Sequence, residues 1–193
     1  MEIKNPPDLS NTILYLGTLK EKDFQLLLRK YLEDICGWAK IYQGSGEHGL
    51  DIAALIESDR DIFNRQVTVM VQAKTGQIGE SKWSQIVAGQ IGQLYSKKIE
   101  RSQINPHNPR RILLITTGEL TPEAESAVYE WNNKQPIPVE VFEGKEIAKR
   151  LIENYESVDV IKSLIESEKP VLLGQKSNHR PEKFMIGSED AIV

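Results

Sequence analysis

Three polar side chains at the ends of two apolar runs have the types that metal-assisted hydrolysis needs. Asp51 directly precedes the run at 52–56. Gln72 and Lys74 follow the run at 67–71 and, being two residues apart, point to the same face of a strand. Carboxylate and amide oxygens are ligands for Mg²⁺, and a lysine beside the reacting atoms stabilises developing negative charge. The pattern therefore predicts a magnesium site with Asp51 and Gln72 as ligands and with Lys74 beside an attacking water molecule.

A purely structural interpretation of the same residues also stands. A lysine and an amide that leave a buried strand on one side need partners, because unpaired buried polar groups are costly. A buried Asp51–Lys74 ion pair at the end of the strand would meet that need without any catalysis. Residue types alone leave both interpretations open.

Hydrophobic periodicity predicts the elements that hold these residues. Thr18 and Glu21 have the spacing of a capping box for a helix over 19–36, which Gly37 would end. Thr121 followed by Pro122 predicts the start of another helix. The predicted strands cover 39–43, 52–56, 67–71, 111–117 and 137–142, and the predicted helices cover 19–36, 81–100, 122–134, 144–155 and 158–166. This order predicts an α/β domain with a central mixed β-sheet flanked by helices.

Changes in composition at both ends of the chain predict the domain boundaries. Residues 1–18 include the segment Asn-Pro-Pro-Asp at 5–8 and are interpreted as an irregular lead-in. Residues 19–168 are interpreted as one domain. Residues 169–193 carry no long periodic pattern, so we expect a linker or the start of a further domain that continues beyond residue 193.

Composition excludes several classes of protein. The 193 residues are 39 % hydrophobic and 27 % charged, which is ordinary for a globular protein. Cys36 is the one cysteine of the sequence, so an internal disulfide is excluded and a reducing compartment is expected. Apolar runs fall short of the roughly 18 residues that a membrane-spanning helix needs, and the first residues lack the pattern of a secretory signal. These features predict a cytoplasmic protein without a membrane partner.

Positive charge is concentrated in the middle of a chain whose formal net charge is −4. Residues 60–115 contain nine basic and three acidic side chains. A segregated basic segment in an acidic protein is typical of a surface that contacts phosphates. The candidate DNA-binding residues are Lys82, Lys97, Lys98 and Arg101. The alternative is that Lys97, Lys98 and Arg101 only solvate the end of a helix.

The order of these motifs resembles the PD-(D/E)XK nuclease superfamily, and most of all its Mrr-type restriction endonuclease branch. A helix is followed by a Gly-x-Gly-x-x-Gly-x-Asp loop at 44–51 and then by a strand that ends in Gln-x-Lys at 72–74. Two downstream segments resemble a strand with its following helix in the same branch: 112–118 with 120–124, and 139–144 with 147–151. The resemblance extends over about Leu19 to Asn154.

The resemblance implies a restriction-endonuclease-like layered fold and a DNA endonuclease that hydrolyses phosphodiester bonds with a metal-activated water. It implies Mg²⁺ as the cofactor, with Mn²⁺ able to substitute, and double-stranded DNA as the substrate. By position, Asp51 is the metal-binding acid, Gln72 replaces the second acid of the family, and Lys74 is the catalytic lysine. Gln90 lies on the predicted helix where related nucleases often place a glutamine, and is either a site residue or a hydrogen-bonded core residue.

The same resemblance also implies partners and a biological setting. Cutting both strands of DNA often uses two active sites, so a homodimer or higher oligomer is expected. The arrangement of an effector domain fused to a sensor domain implies a role in restriction or phage defence.

Two positions depart from the pattern of the family. The branch often carries a glutamate just after the aromatic residue of its first helix, whereas Phe24 is here followed by Gln25. The loop has Glu-His-Gly at 47–49 where Asp-Gly-Gly is commoner. Gln25 can still face the site as a candidate catalytic residue, but it brings no charge, so metal affinity should fall. Two alternatives therefore remain: a catalytically inactive nuclease fold that serves in DNA binding or assembly, and a nuclease that acts on RNA or branched DNA.

Overall fold

Five strands and six helices are present in the residues described by this computed structural model, which are 7–42, 50–57, 66–86, 90–92 and 110–175. In chain order they are α1 (Pro7–Thr18), α2 (Glu21–Cys36), β1 (Ala39–Ile41), β2 (Ile52–Glu57), β3 (Gln66–Lys74), α3 (Glu80–Ile86), β4 (Arg110–Thr116), α4 (Pro122–Asn132), β5 (Val139–Phe142), α5 (Gly144–Tyr155) and α6 (Val158–Gln175). The strands form one sheet in the order β1-β2-β3-β4-β5.

The β-branched run at 67–71 lies in β3, the central strand of this sheet. β3 pairs with β2 in antiparallel orientation and with β4 in parallel orientation, so Ile52 lies opposite Val71 and Gln72 lies opposite Leu114. β1 is antiparallel to β2, and β5 is parallel to β4. The sheet is therefore mixed, and the predicted fold class is confirmed.

The sheet separates two hydrophobic cores. On one face, α1, α2, α5 and α6 pack against Val69, Val71 and Ala73 of β3. On the other face, α3 and α4 pack against Met70 of β3 and against Ile112 and Leu114 of β4. Side chains alternate along β3, so Gln72 leaves the strand on the same face as Met70. A layer of helices on each side of the sheet thus places the end of β3 between α2 and α3.

The secondary structure at both ends of the domain differs from the expectation. Pro7–Thr18 is a helix that packs against α5 and buries Leu16, not an irregular lead-in. Proline is favoured in the first turn of a helix, where its missing N–H costs nothing. At the other end, α6 continues to Gln175, so the segment 169–175, which was expected to carry no long periodic pattern, is helical. The predictions for 1–6 and 176–193 lie outside the described residues.

The predicted capping box before α2 is wrong. Thr18 ends α1, and its hydroxyl donates a hydrogen bond to the carbonyl oxygen of Tyr15 (2.7 Å). α2 begins at Glu21 after an extended Lys20, without a side-chain cap. The predicted end of this helix is confirmed, because Gly37 adopts the left-handed conformation (φ +75°) that favours glycine.

The predicted long helix at 81–100 is confirmed in part. α3 covers Glu80–Ile86, and a π-helical turn follows at Gln90 and Ile91. Residues 87–89 and 93–100 lie outside the described residues.

The remaining elements agree with the prediction to within a few residues. Thr121 caps α4 as predicted, and its hydroxyl accepts a hydrogen bond from the N–H of Ala124 (3.3 Å). β5 begins at Val139, two residues later than predicted, and the preceding Pro138 has no N–H to donate to the sheet. Within the described part of the chain, every helix is too short or too polar to span a bilayer.

Candidate active site

Asp51 lies just before β2, and the backbone of β3 holds it there. Its N–H donates to the carbonyl oxygen of Val71 (3.1 Å). Its carboxylate oxygen Oδ2 accepts hydrogen bonds from the N–H of Ala73 (2.8 Å) and from the side-chain amide of Gln72. Asp51 is 8 % exposed. The two strands therefore fix the carboxylate at the end of the sheet and bring Asp51 and Gln72 together.

The electrostatic surroundings of Asp51 favour a nearby positive charge. Burial is the largest influence and raises the pKa of the Asp51 carboxyl above its ordinary value. The N–H of Ala73, the charge of Lys74 and the side chain of Gln25 oppose this rise, whereas the charge of Glu21 adds to it. The pKa stays raised, so these partners offset only part of the cost of burying the carboxylate.

Gln72 is fully buried and uses only one end of its side-chain amide. Its Nε2 donates to Asp51, which fixes the orientation of the amide, because a carboxylate can only accept. Its Oε1 is buried and has no hydrogen-bond partner among the described residues. Leaving a buried acceptor unpaired costs about 1–3 kcal/mol. The oxygen of Gln72 is therefore free to serve as a ligand beside the Asp51 carboxylate.

Lys74 ends β3, and its ammonium group lies in the same cluster. Its Nζ is 3.0 Å from Oε1 of Glu21, and its side chain is 9 % exposed. Within the described part of the chain, this contact is the direct ion pair of Lys74, and Asp51 acts on Lys74 only through its charge. The simple Asp51–Lys74 pair that the sequence left open is therefore not the arrangement in the structure.

The backbone that carries Lys74 is braced by the loop that follows β4. The Thr116 hydroxyl donates a hydrogen bond to the carbonyl oxygen of Gly76 (2.7 Å). The N–H of Gly76 donates a hydrogen bond to the Thr117 hydroxyl (2.9 Å). The N–H of Thr117 in turn donates to the carbonyl oxygen of Lys74 (3.1 Å). A Cβ atom at Gly118 would lie 2.5 Å from the carbonyl carbon of Gly76. Only a glycine allows the two loops to approach this closely, and this packing fixes the end of β3.

Helix α2 brings two further side chains to the cluster. Gln25 is 8 % exposed, and its side chain lies near enough to the Asp51 carboxylate to lower the pKa of that group. Glu21 lies four residues earlier, one helical turn away on the same face, and pairs with Lys74. The sequence predicted Gln25 at the site, whereas the spacing of Glu21 from Thr18 indicated a capping residue. The available signal was the spacing of four residues between Glu21 and the expected site position.

Gln90 and Lys82 lie beside the cluster on the other helical layer. With Lys74 they line an open cavity of about 380 Å³, which also includes Gln85 and Ile86. The side-chain oxygen of Gln90 is buried and has no hydrogen-bond partner in the part of the chain that the structure describes. Gln90 therefore lies at the cavity, and its side-chain oxygen lacks a hydrogen bond from the described residues.

The predicted phosphate contacts are placed only in part. The ammonium group of Lys82 donates to the carbonyl oxygens of Thr75 (2.8 Å) and Gln77 (3.4 Å) in the loop after β3. Lys82 therefore braces this loop as well as lining the cavity. The other candidates lie outside the described residues: Lys97, Lys98 and Arg101.

The donor atoms at this site suit a hard divalent cation, although the acidic ligands are few. No group of three or more His, Cys, Asp or Glu side chains is arranged to hold a metal in the described ranges. The Asp51 carboxylate and the unpaired oxygen of Gln72 nevertheless offer oxygen ligands of the kind that Mg²⁺ prefers. With Lys74 beside them, the site has the parts of a metal-assisted phosphodiesterase.

A comparison with protein families agrees with this combination of fold and site. Residues 16–151, most of the chain, match the Mrr_cat family model, which is described as restriction endonuclease. The chain therefore belongs to the Mrr-type restriction endonuclease family, as the sequence motifs predicted. No curated protein sequence matches the chain.

Two solved structures resemble the chain, and one of them, AspBHI, shares its fold. The DNA modification-dependent restriction endonuclease AspBHI matches with a TM-score of 0.56 and 11 % identity, over 86 % of this chain and 41 % of that chain. The MspJI restriction endonuclease, in complex with a 27-mer oligonucleotide, matches with a TM-score of 0.49 and 16 % identity, over 82 % of this chain and 34 % of that chain. The chain thus spans less than half the length of either protein.

Proposed function

We propose that this chain is a metal-dependent DNA endonuclease domain that uses Mg²⁺, or Mn²⁺ in its place, to hydrolyse phosphodiester bonds. The observation that carries the proposal is the buried, unpaired oxygen of Gln72 beside the fixed carboxylate of Asp51. Membership of the restriction endonuclease family supports the same activity.

Each side chain of the cluster has a definable role in this reaction. Asp51 and Gln72 would hold the metal ion, which when bound lowers the pKa of a water molecule and withdraws charge from the phosphate. Lys74 lies next to them and stabilises the negative charge that develops on the phosphate in the transition state. The N–H of Ala73 orients the Asp51 carboxylate through its hydrogen bond, and Gln25 is a polar neighbour that stabilises the charged form of Asp51.

The proposed substrate is double-stranded DNA. AspBHI, which shares the fold, acts on DNA by its description. The basic segment at 60–115 supports contacts with the phosphate backbone, which carry affinity but no sequence specificity. We assign these contacts to Lys82, Lys97, Lys98 and Arg101.

The biological setting of the domain is proposed from its family and from the finding that it covers only 41 % of the AspBHI chain. The domain would act in the cytoplasm as the effector of a restriction or phage-defence protein, fused to a sensor domain beyond residue 193. A homodimer or higher oligomer would bring two such sites to the two DNA strands.

The direct test is cleavage of supercoiled plasmid with Mg²⁺ or Mn²⁺ by the wild type, Asp51→Ala and Lys74→Ala at matched concentration. The proposal predicts metal-dependent nicking and linearisation that both substitutions abolish. Lys149→Ala is the matched control, because Lys149 is an exposed lysine of α5 outside the cluster. Cleavage by Lys74→Ala at the wild-type rate would contradict the proposal.

The same assay separates the alternative functions. The presence of Gln25 in place of a glutamate favours an inactive nuclease fold as the second candidate. A folded wild type that binds DNA in a gel-shift assay but does not cut it with either metal would support that candidate. Parallel reactions with RNA and with branched DNA would show whether another nucleic acid is the preferred substrate.

The assignment of the basic segment is tested by reversing two of its charges. Lys97→Glu combined with Lys98→Glu should weaken DNA binding and reduce the slope of log affinity against log salt by roughly 0.9 for each phosphate that the protein no longer neutralises. Lys145→Glu combined with Lys149→Glu, on the exposed surface of α5, is the control. An unchanged salt slope in the first variant would overturn the assignment.

A further inference from the structure

The first turn of α2 places a carboxylate at the cluster that the family pattern does not assign. Glu21 and Gln25 lie one helical turn apart, so their side chains project from the same face of the helix. Gln25 reaches the carboxylate of Asp51, and Glu21 reaches the ammonium group of Lys74 at 3.0 Å. Both side chains therefore enter the site from the same helix face.

The charge balance of the cluster shows what Glu21 adds. Asp51 and Lys74 carry formal charges of opposite sign, so these two residues together have no net charge with which to attract a dication. Glu21 makes the sum of the three side chains −1 at neutral pH. A divalent cation binds more tightly as the number of charged oxygen ligands rises. Glu21 therefore supplies the negative charge that Gln25 lacks.

One buried oxygen atom of the cluster also lacks a hydrogen-bond partner within the described part of the chain, and a bound ligand would supply a partner. The Oε1 of Gln72 is buried without a hydrogen-bond partner in the described residues, next to the Asp51 carboxylate. Glu21, in contrast, has a side chain that is 44 % exposed, so its rotamer can change without disturbing the core. The rise from position 21 to position 25 is about 6 Å along the helix axis, a distance comparable to the length of a glutamate side chain.

We propose that Glu21 is the second acidic metal ligand of this site, supplied from one helical turn before the position where the family carries a glutamate. Together with Asp51 and the oxygen of Gln72, it completes a set of three oxygen ligands. This inference rests on the proposed nuclease function, and it assigns to Gln25 the smaller task of stabilising the charged form of Asp51.

The test measures Mn²⁺ binding to the 193-residue chain by electron paramagnetic resonance, in the absence of DNA. Glu21→Gln should weaken Mn²⁺ binding by about tenfold or more, the range seen when a group that supports a metal site is removed. Asp23→Asn is the matched control, because Asp23 lies in the same first turn of α2 but faces Lys169 (3.9 Å). It should leave the affinity unchanged, although it removes the same charge from the same end of the helix.

A relocation variant tests the position of the carboxylate. Glu21→Gln combined with Gln25→Glu moves the charge one turn along the helix, to the position typical of the family, and should recover most of the lost Mn²⁺ affinity. Circular dichroism of each variant confirms that the fold is intact, and Glu21→Asp, which keeps the charge but shortens its reach, should give an intermediate affinity.

Any of the following results would overturn the inference. The first is wild-type Mn²⁺ affinity in Glu21→Gln, or absence of Mn²⁺ binding in the wild type itself. The second is an equal loss in Asp23→Asn, which would indicate a general effect of charge. The third is a relocation variant that recovers no binding, since the two positions would then not be equivalent.

Plasmid cleavage run in parallel keeps this inference separate from the proposed function. If Mn²⁺ binding depends on Glu21 but the wild type does not cut, the proposed function fails and the ligand assignment stands. If the wild type cuts while Glu21→Gln binds Mn²⁺ normally, the ligand assignment fails and the nuclease stands.

Discussion

The site residues form two groups. The strand half comes from the end of the sheet and the helix half comes from α2, and the two halves are held in place very differently. The strand half consists of Asp51, Gln72 and Lys74, which are almost fully buried and whose backbone is hydrogen-bonded to neighbouring strands or loops. The helix half consists of Glu21 and Gln25. Gln25 is buried against Asp51, but Glu21 is 44 % exposed and held by one ion pair.

This difference explains how a site can lose a carboxylate at one position and regain it at another. Moving a residue along a strand by one position turns its side chain to the other face of the sheet. Moving a carboxylate by one turn of a helix keeps it on the same face. We therefore expect the strand half to tolerate little change and the helix half to tolerate relocation.

The largest effect should come from Asp51→Asn in the strand half. The cleavage rate should fall on the order of 10²-fold or more, because an essential charge is removed from a buried site. The melting temperature should stay near that of the wild type, since the amide oxygen can still accept the N–H of Ala73. Asp159→Asn, at an exposed position of α6, is the control. Equal cleavage rates for these two variants would contradict the expectation that the strand half tolerates little change.

A smaller but clear loss of stability should follow from Gly118→Ala. The new methyl group would press on the backbone at Gly76 and cost about 1–3 kcal/mol of unfolding free energy, as overpacking does. Gly79→Ala is the matched control, because the nearest atom to its new Cβ is a Thr121 methyl group at 3.9 Å. Urea unfolding measures both. If both variants had the same stability, the loop packing would not be what fixes the end of β3.

An intermediate effect is expected for Lys82→Met, which tests whether α3 also braces the strand half. The substitution keeps the apolar part of the side chain and removes the hydrogen bonds to Thr75 and Gln77. The expected loss is about 0.5–1.5 kcal/mol in urea unfolding. A variant as stable as the wild type would show that Lys82 does not brace the loop after β3.

The smallest change in stability is expected for Glu21→Gln in the helix half. Its ion pair with Lys74 is half exposed on the glutamate side. The glutamine oxygen can still accept a hydrogen bond from the buried Nζ of Lys74, so the substitution should cost about 0.2–1 kcal/mol in urea unfolding. Together with a large loss of Mn²⁺ affinity, this would show that Glu21 serves the site more than the fold. A stability loss larger than that of Gly118→Ala would show that Glu21 serves the fold more than the site.

The strand half could be predicted from the sequence for a simple physical reason. Alternation along a strand places Gln72 and Lys74 on one side, and the run that Asp51 opens precedes β3, with which it forms an antiparallel pair. Both features, the alternation along β3 and its pairing with β2, involve residues of one strand or of two strands that follow each other in the chain. The two parallel strands and their helices follow from the same kind of local pattern.

The helix half depends on packing that the sequence does not state. Thr18 and Glu21 have the spacing of a capping box, but the chain continues directly from α1, and Glu21 turns to Lys74 instead. Likewise, the buried oxygens of Gln72 and Gln90 lack hydrogen bonds within the described residues only because of how distant segments meet. The extra helix α1 was missed because the prolines before Asp8 resemble a loop as well as a helix start.

The most direct test of the central claim is the single-turnover cleavage rate of a labelled DNA duplex as a function of Mg²⁺ concentration, for the wild type and Lys74→Ala. A catalytic Lys74 predicts a rate at saturating Mg²⁺ that falls on the order of 10²-fold, with little change in the Mg²⁺ concentration at half-saturation. Equal saturating rates for the two proteins would show that the cluster at the end of β3 is not the active site.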